Sequence, residues 1–164
     1  MKTIISNPRR FGKTTELFLR ESNAIEGVYD EDSYLQAKYA WEFLIKEKEL
    51  NIGVVQKTHK ILMLHQHLMP NEKGYFRQVP VYIGSREGID WKFLQEAMQV
   101  WCMNATLYPK NWKEQHVRYE QIHPFVDGNG RTGRMFMNWQ RMKAGFGIMV
   151  IKELKKYEYY QWFE

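Results

Sequence analysis

Residues 123–134 read His123-Pro124-Phe125-Val126-Asp127-Gly128-Asn129-Gly130-Arg131-Thr132-Gly133-Arg134, and the backbone this run demands decides the fold around it. Pro124 disfavours the α conformation at His123, so the periodic segment before it, a helix expected over Trp112–Ile122, must stop there. Gly128, Asn129 and Gly130 permit positive φ, which aims successive N–H groups into one concavity. A helix beginning straight after the glycines adds its positive end to the same place. The run is thus a loop between two helices, with an imidazole at its entrance and an anion cradle at its exit.

The side chains suit that backbone. Histidine has an ordinary pKa of about 6.5, fitting it for general-base work near neutrality. Arg131 and Arg134 stand three positions apart, on one helical face, where both guanidinium groups can converge on one polyphosphate. Asp127 is a candidate ligand for Mg²⁺, which prefers a carboxylate together with phosphate oxygens and water. Each residue alone has a plain structural explanation; twelve positions carrying all of them point to chemistry on a nucleotide.

Working outward, apolar residues recur at helical spacing. Helices are expected over Thr14–Ile25, with Thr14 or Thr15 as cap, then Asp32–Lys48 and Ile52–Leu68. Asp90 is a good N-cap for Trp91–Ala105, and a helix after Gly130 should run to Arg141 and end at Ala144-Gly145-Phe146-Gly147. The tail KELKKYEYYQWFE predicts a last helix. Residues 74–85, GYFRQVPVYIGS, differ: they are rich in β-branched and aromatic side chains, and Pro80 confines any strand to an edge. The fold class is mainly α with one short β-hairpin.

Composition bounds the rest. The 164 residues fit one domain, 44% hydrophobic and 26% charged, with 15% aromatics for a core of large side chains. The net charge of +5 suits an acidic ligand, but no reading helix or aromatic platform for nucleic acid accompanies it, and Arg9, Arg10 and Lys13 form only a short basic patch. Cys102 is the single cysteine, so no internal disulfide forms and a packing role is expected. The opening residues MKTIISNPRRFGK lack a signal-peptide apolar run, and no run approaches the roughly 20 residues that span a bilayer. A cytoplasmic protein with no membrane or nucleic-acid partner is the expectation.

Two coincidences are set aside. Gly128 to Gly133 matches G-x-G-x-x-G, yet the dinucleotide fingerprint requires a preceding strand, and HVRYEQI is helical in pattern. Phe11-Gly12-Lys13-Thr14 imitates the end of a P-loop, but Asn7 stands where the first glycine belongs. His59, His65 and His67 lack the i, i+4 spacing of a helical zinc pair.

The 123–134 run resembles the signature of the Fic family, HPFx[DE]GNGRxxR. Its flanks, Tyr119–Ile122 and Met135–Asn138, are similar to the family pattern, and the likeness extends over most of residues 14–145. The resemblance implies the Fic helical core and transfer of AMP from ATP to a Ser, Thr or Tyr hydroxyl of a target protein. On the matching positions, His123 would deprotonate the hydroxyl for attack on the α-phosphorus and Asp127 would hold Mg²⁺. Gly128, Asn129 and Gly130 would cradle the phosphates, Arg131 would neutralise the leaving diphosphate, and Arg134 would bind the γ-phosphate. Residues 74–85 resemble the family's flap, with Val79, Val81, Tyr82, Ile83 and Gly84 aligning the target segment.

Ser22-Asn23-Ala24-Ile25-Glu26-Gly27 resembles the family's inhibitory motif, [S/T]xxxE[G/N]. It implies an inhibitory helix over 14–27, in which Ser22 and Glu26 share a face and Glu26 occupies Arg134 in place of the γ-phosphate. The implied protein is an autoinhibited adenylyltransferase whose partners are ATP, a protein target and, as a natural means of control, a second copy of itself. The alternative is a de-AMPylating or non-catalytic nucleotide-binding regulatory module.

Overall fold

The computed structural model describes residues 12–164, so Arg9, Arg10 and Phe11 lie outside the described residues. Helix α1 covers Lys13–Ile25, α2 Glu31–Leu44 and α3 Ile52–Leu62. The hairpin strands are β1, Tyr82–Ile83, and β2, Arg86–Glu87; then come α4, Leu94–Leu107, α5, Trp112–Ile122, α6, Asn129–Lys143, and the short α7, Lys156–Tyr160. The mainly helical class with one antiparallel hairpin agrees with the reading of the sequence.

Several boundaries move, each for a local reason. Gly12 precedes α1 with no side-chain cap, so Thr14 and Thr15 sit inside the first turn. Asp30 starts α2 by accepting the Ser33 N–H at 2.8 Å, earlier than the 32 expected. Helix α3 stops at Leu62 rather than 68, because the chain turns so that His65 Nε2 meets the Ser33 hydroxyl at 2.7 Å. Helix α6 starts at Asn129, not after Gly130, and ends in a Schellman pair: Phe146 N–H to Arg141 C=O at 2.8 Å and Gly145 N–H to Met142 C=O at 3.1 Å.

Helix α6 is the axis of the core. Nearly every residue from Arg131 to Gln140 is buried, although the helix is polar in composition. Among its polar side chains, Asn138 pairs with Met149, accepting its N–H at 2.8 Å and donating to its carbonyl at 3.0 Å. Trp139 on this helix, and Trp41 and Trp101 around it, are each about 2% exposed. Each such side chain removes roughly 150–250 Å² from water, worth about 4–6 kcal/mol before entropy. Cys102 packs among them, and burial pushes its thiol up to about 12. No helix of the described residues is long and apolar enough to cross a membrane.

Helix α1 is docked by its apolar face: Phe18 meets Trp41 edge-on at 5.4 Å between ring centroids. Its far side is tied to the C-terminal segment, where the Glu153 N–H donates to Glu21 at 2.6 Å. These contacts place the end of α1 over the start of α6.

Candidate functional site

His123 ends α5 in the left-handed conformation, φ 50 and ψ 64, the one non-glycine residue of the described chain with positive φ. Such a backbone costs on the order of 1–3 kcal/mol and persists only where surroundings over-determine it. Here the His123 carbonyl accepts the Arg77 Nε–H at 2.8 Å, and Arg77 N–H donates to the Pro124 carbonyl at 2.9 Å. The ring Nδ1 lies 3.2 Å from the Glu120 carbonyl, which can only accept, so Nδ1 carries the proton. Nε2 is left with a free lone pair. Burial holds the ring below its ordinary pKa, so it is neutral at physiological pH and ready to take a proton.

The loop after it is braced by its own side chains. Asn129 donates to the Phe125 carbonyl and accepts the Phe125 N–H, both at 2.9 Å, so its amide is spent on the loop. Gly128 alone of the three has positive φ, 82. Asp127 Oδ1 accepts the Gly128 N–H at 2.7 Å, and its carboxylate is otherwise 58% exposed. The Thr132 N–H bonds back to the Gly128 carbonyl at 3.0 Å, so the N–H groups of Asn129, Gly130 and Arg131 have no acceptor within the helix. His59 stacks on Phe125 with centroids 3.7 Å apart; its Nδ1 accepts the Gly74 N–H at 2.9 Å and its Nε2–H donates to the Asp127 carbonyl at 2.8 Å. This histidine, no metal ligand, holds the loop from behind.

The two arginines differ. Arg131 is buried, its Nε and Nη1 have no hydrogen-bond partner, and its Nη2 is 3.7 Å from Asp127 Oδ2. Two orphaned donors on a buried cation mark a position for an anion. Arg134 is fully engaged. Its Nε donates to Ser22 Oγ at 2.9 Å, and its Nη2 donates to the Ser22 carbonyl at 2.9 Å and to Glu26 Oε1 at 2.6 Å. That carbonyl is among the unpaired ones at the end of α1, so the cation also meets the helix's negative end. Burial works against the charge, yet Tyr159, Glu26 and Glu120 keep Arg134 above its ordinary basicity.

Gly130 explains itself by space rather than by φ. A Cβ there would overlap the Glu26 carboxylate and lie 3.0 Å from Arg134 Nη1. Gly27, at φ 71, lets α1 stop in a Schellman turn that aims Glu26 at this point: Val28 N–H to Asn23 C=O at 3.1 Å, Gly27 N–H to Ala24 C=O at 2.9 Å.

A cleft of about 870 Å³ brings some of these parts together, lined by His123, Gly130, Arg134, Glu26, the hairpin residues Ile83–Glu87 and the C-terminal Tyr159, Tyr160 and Phe163; Asp127, Asn129 and Arg131 do not line it. The hairpin pairs Tyr82 with Glu87 and Ile83 with Arg86 around a turn at Gly84, φ 62. The strand pairing therefore lies at 82–87, not over 74–85; Val81 accepts the Gly88 N–H at the hairpin's base, while the Val79 carbonyl before Pro80 is taken by the Arg77 side chain. Of the flap residues singled out, Ile83 and Gly84 line the cleft, whereas Val79, Val81 and Tyr82 do not.

Sequence reasoning missed four residues here: Arg77, Tyr159, His116 and Glu120. Tyr159 is 3% exposed, meets His116 Nε2 at 2.7 Å and accepts from Arg134 Nη1 at 3.4 Å. Tyr157 and Tyr160 are 73% and 39% exposed. Glu120 and His116 lie four apart on α5, a spacing that put both on the face beneath α6, though nothing in the local sequence marked that face as buried. Burial drives the Glu120 carboxyl up to about 7 and the His116 imidazole down to about 3.

These two groups act oppositely on stability. Glu120 contributes stability that is present below its ordinary 4.5 and lost as pH rises through 7; His116 contributes stability present above 6.5 and lost as pH falls. Glu120→Gln removes the first effect, so its melting temperature should fall more steeply between pH 7 and pH 5 than that of the wild type. The extra loss expected is about 2 kcal/mol. Parallel melting curves across that range would show that Glu120 is not held as the acid.

A model of the Fic/DOC family matches residues 56–140. Among curated proteins, the protein adenylyltransferases Fic of Drosophila erecta and Drosophila melanogaster are 34% identical over 134 residues and 36% identical over 129. The alignments cover 77% and 69% of this chain, which spans about a quarter of those relatives, 26% of each. Two solved structures share the fold: Fic-1 of C. elegans, with TM-score 0.77, 20% identity, 98% of this chain and 58% of that one covered, and a Fic domain containing signaling protein of Bacteroides thetaiotaomicron, with TM-score 0.75, 17% identity, 89% and 69% covered.

Proposed function

Because the chain belongs to the Fic/DOC family, we propose that it transfers AMP from ATP to a hydroxyl side chain of a target protein, releasing pyrophosphate. The observation that carries this reading is the single cleft in which His123, the start of α6, Arg134 and the flap hairpin meet. His123 Nε2 takes the proton of the Ser, Thr or Tyr hydroxyl as its oxygen attacks the α-phosphorus. The N–H groups of Gly130 and Arg131, with the side chain of Arg131, stabilise the phosphate oxygens, and Arg134 receives the γ-phosphate. The work is positioning and charge stabilisation. Among the described residues no group of three or more His, Cys, Asp or Glu could hold a metal ion, so a bound cation must draw on the phosphates. Asp127, one exposed carboxylate beside the anion loop, fits Mg²⁺ on those terms, and the ion would supply charge neutralisation there.

In this proposal α1 is an inhibitory helix. Glu26 and Ser22 fill the Arg134 fork that the γ-phosphate needs, and the carboxylate occupies the space against Gly130. Glu26 also faces the cleft with 37% of its side chain exposed, which favours a second reading: the same carboxylate orienting water to remove AMP from a modified target. ATP labelled at the α-phosphorus tests the main reading: label should enter protein from the α and not from the γ position. Loss of label from modified target with wild type, but not with Glu26→Gly, would identify the reverse reaction.

A further inference from the structure

Resting on that transfer reading, we infer that Arg77 is the positioning residue that locks the base His123 and both legs of the flap hairpin into one rigid unit. Arg77 is 2% exposed and pairs with no carboxylate among the described residues. Asp90 acts on it only at a distance, without an ion pair, and a buried guanidinium with no contacting counter-ion needs another reason to be there. Its hydrogen bonds go to main-chain carbonyls in three separate segments. Nε donates to His123 at 2.8 Å, and Nη2 to Ile122 at 3.3 Å, at the end of α5. Nη1 donates to Val79 at 2.9 Å, on the way into the hairpin, and Nη2 to Ile89 at 2.6 Å, on the way out.

The geometry is specific to this side chain. The Ile122 carbonyl is among the last, unpaired ones of α5, so the cation sits at that helix's negative end. Only a planar fork reaches acceptors on so many sides; an ammonium on a flexible stem is a point donor. Room for the fork comes from Gly88, where a Cβ would lie 3.1 Å from Arg77 Nη2. The Gly88 N–H closes the base of the hairpin on the Val81 carbonyl at 2.8 Å. His123 holds its left-handed backbone against this same guanidinium, so a target segment aligned by the hairpin is brought into register with Nε2 by one side chain.

The test uses the full chain carrying Glu26→Gly, with ATP affinity, kcat, target KM and the pH–rate profile measured for Arg77→Lys and Arg77→Met. Arg77 bonds to no residue from Asp127 to Arg134, so ATP affinity should stay within about threefold while kcat drops about 100-fold in both variants. Guanidinium ion added to Arg77→Ala should restore part of kcat. Charged groups facing His123 are Glu120 from α5, Glu26 from α1 where retained, Asp127 from the loop and Arg77 itself. Loss of the Arg77 charge in Arg77→Met, not in Arg77→Lys, should therefore move the acid limb to higher pH. Arg77→Lys with parental kcat overturns the inference, and so does loss of ATP binding together with the fold, which would make Arg77 purely structural. A Glu26→Gly parent that transfers nothing overturns the transfer reading itself and this inference with it.

Discussion

Glu26→Gly should raise AMP transfer by about 10- to 100-fold over the wild type. Arg134 is the reason. Its guanidinium is 2% exposed; three of its hydrogen bonds run to the α1 segment, two to Ser22 and one, at 2.6 Å, to the Glu26 carboxylate, which the substitution removes while leaving the helix in place. A charge-assisted hydrogen bond contributes roughly 1.5–3 kcal/mol, and each 1.4 kcal/mol is tenfold in rate. Removing the carboxylate frees one N–H and an uncompensated positive charge for the γ-phosphate, and it also clears the space beside Gly130 where the phosphates approach. The measurement is incorporation of label from α-labelled ATP by wild type and variant in parallel. A second consequence separates inhibition from damage: without ATP the variant holds an unpaired buried cation and should melt lower, and ATP with Mg²⁺ should recover more stability in the variant than in the wild type. Equal transfer rates for the two proteins would defeat the inhibitory role of Glu26.

His123→Ala should abolish transfer in both the wild-type and Glu26→Gly backgrounds, a loss of about 10²- to 10⁴-fold or to the detection limit. Among the described residues lining the cleft, no other presents a neutral nitrogen with a free lone pair: Arg134 and Arg118 are cations, and Glu120 offers a carboxyl that burial pushes up to about 7. ATP binding should survive, because the anion site belongs to the first turn of α6. Since position 123 has φ 50, alanine also carries backbone strain; His123→Asn, whose side chain tolerates that conformation, is the matching control. Both variants should lose transfer equally while asparagine melts higher. Retained activity in His123→Asn would mean that the ring is not the base.

Much of this arrangement was legible in the linear chain because it is local. Pro124 after a periodic helix, glycine at 128 and two arginines three apart specify a helix–loop–helix with free N–H groups and two cations at the loop's exit. The helices came from apolar periodicity, and α5 was placed to the residue. The hairpin pairs at 82–87, eight residues later at its start than the segment expected, because its approach is shaped by a guanidinium that no propensity records. The Asn129 side chain is a loop brace, which leaves only its backbone N–H for a phosphate; Gly130 looked like a positive-φ glycine and is a helical one kept small by Glu26.

The sequence by itself determined the chemistry on offer: a base, an anion-binding turn, a cation pair and a carboxylate, with the fold class that carries them. The family resemblance implied that Glu26 meets Arg134; the tertiary structure decided how closely and in what surroundings. Glu26 and Arg134 are 108 residues apart in the chain and 2.6 Å apart in space. Burial, a property of the whole packing, sets Glu120 and His116 to opposite protonation and leaves two donors of Arg131 unpaired. Electrostatics depends on distance and dielectric, and neither exists until the chain has folded.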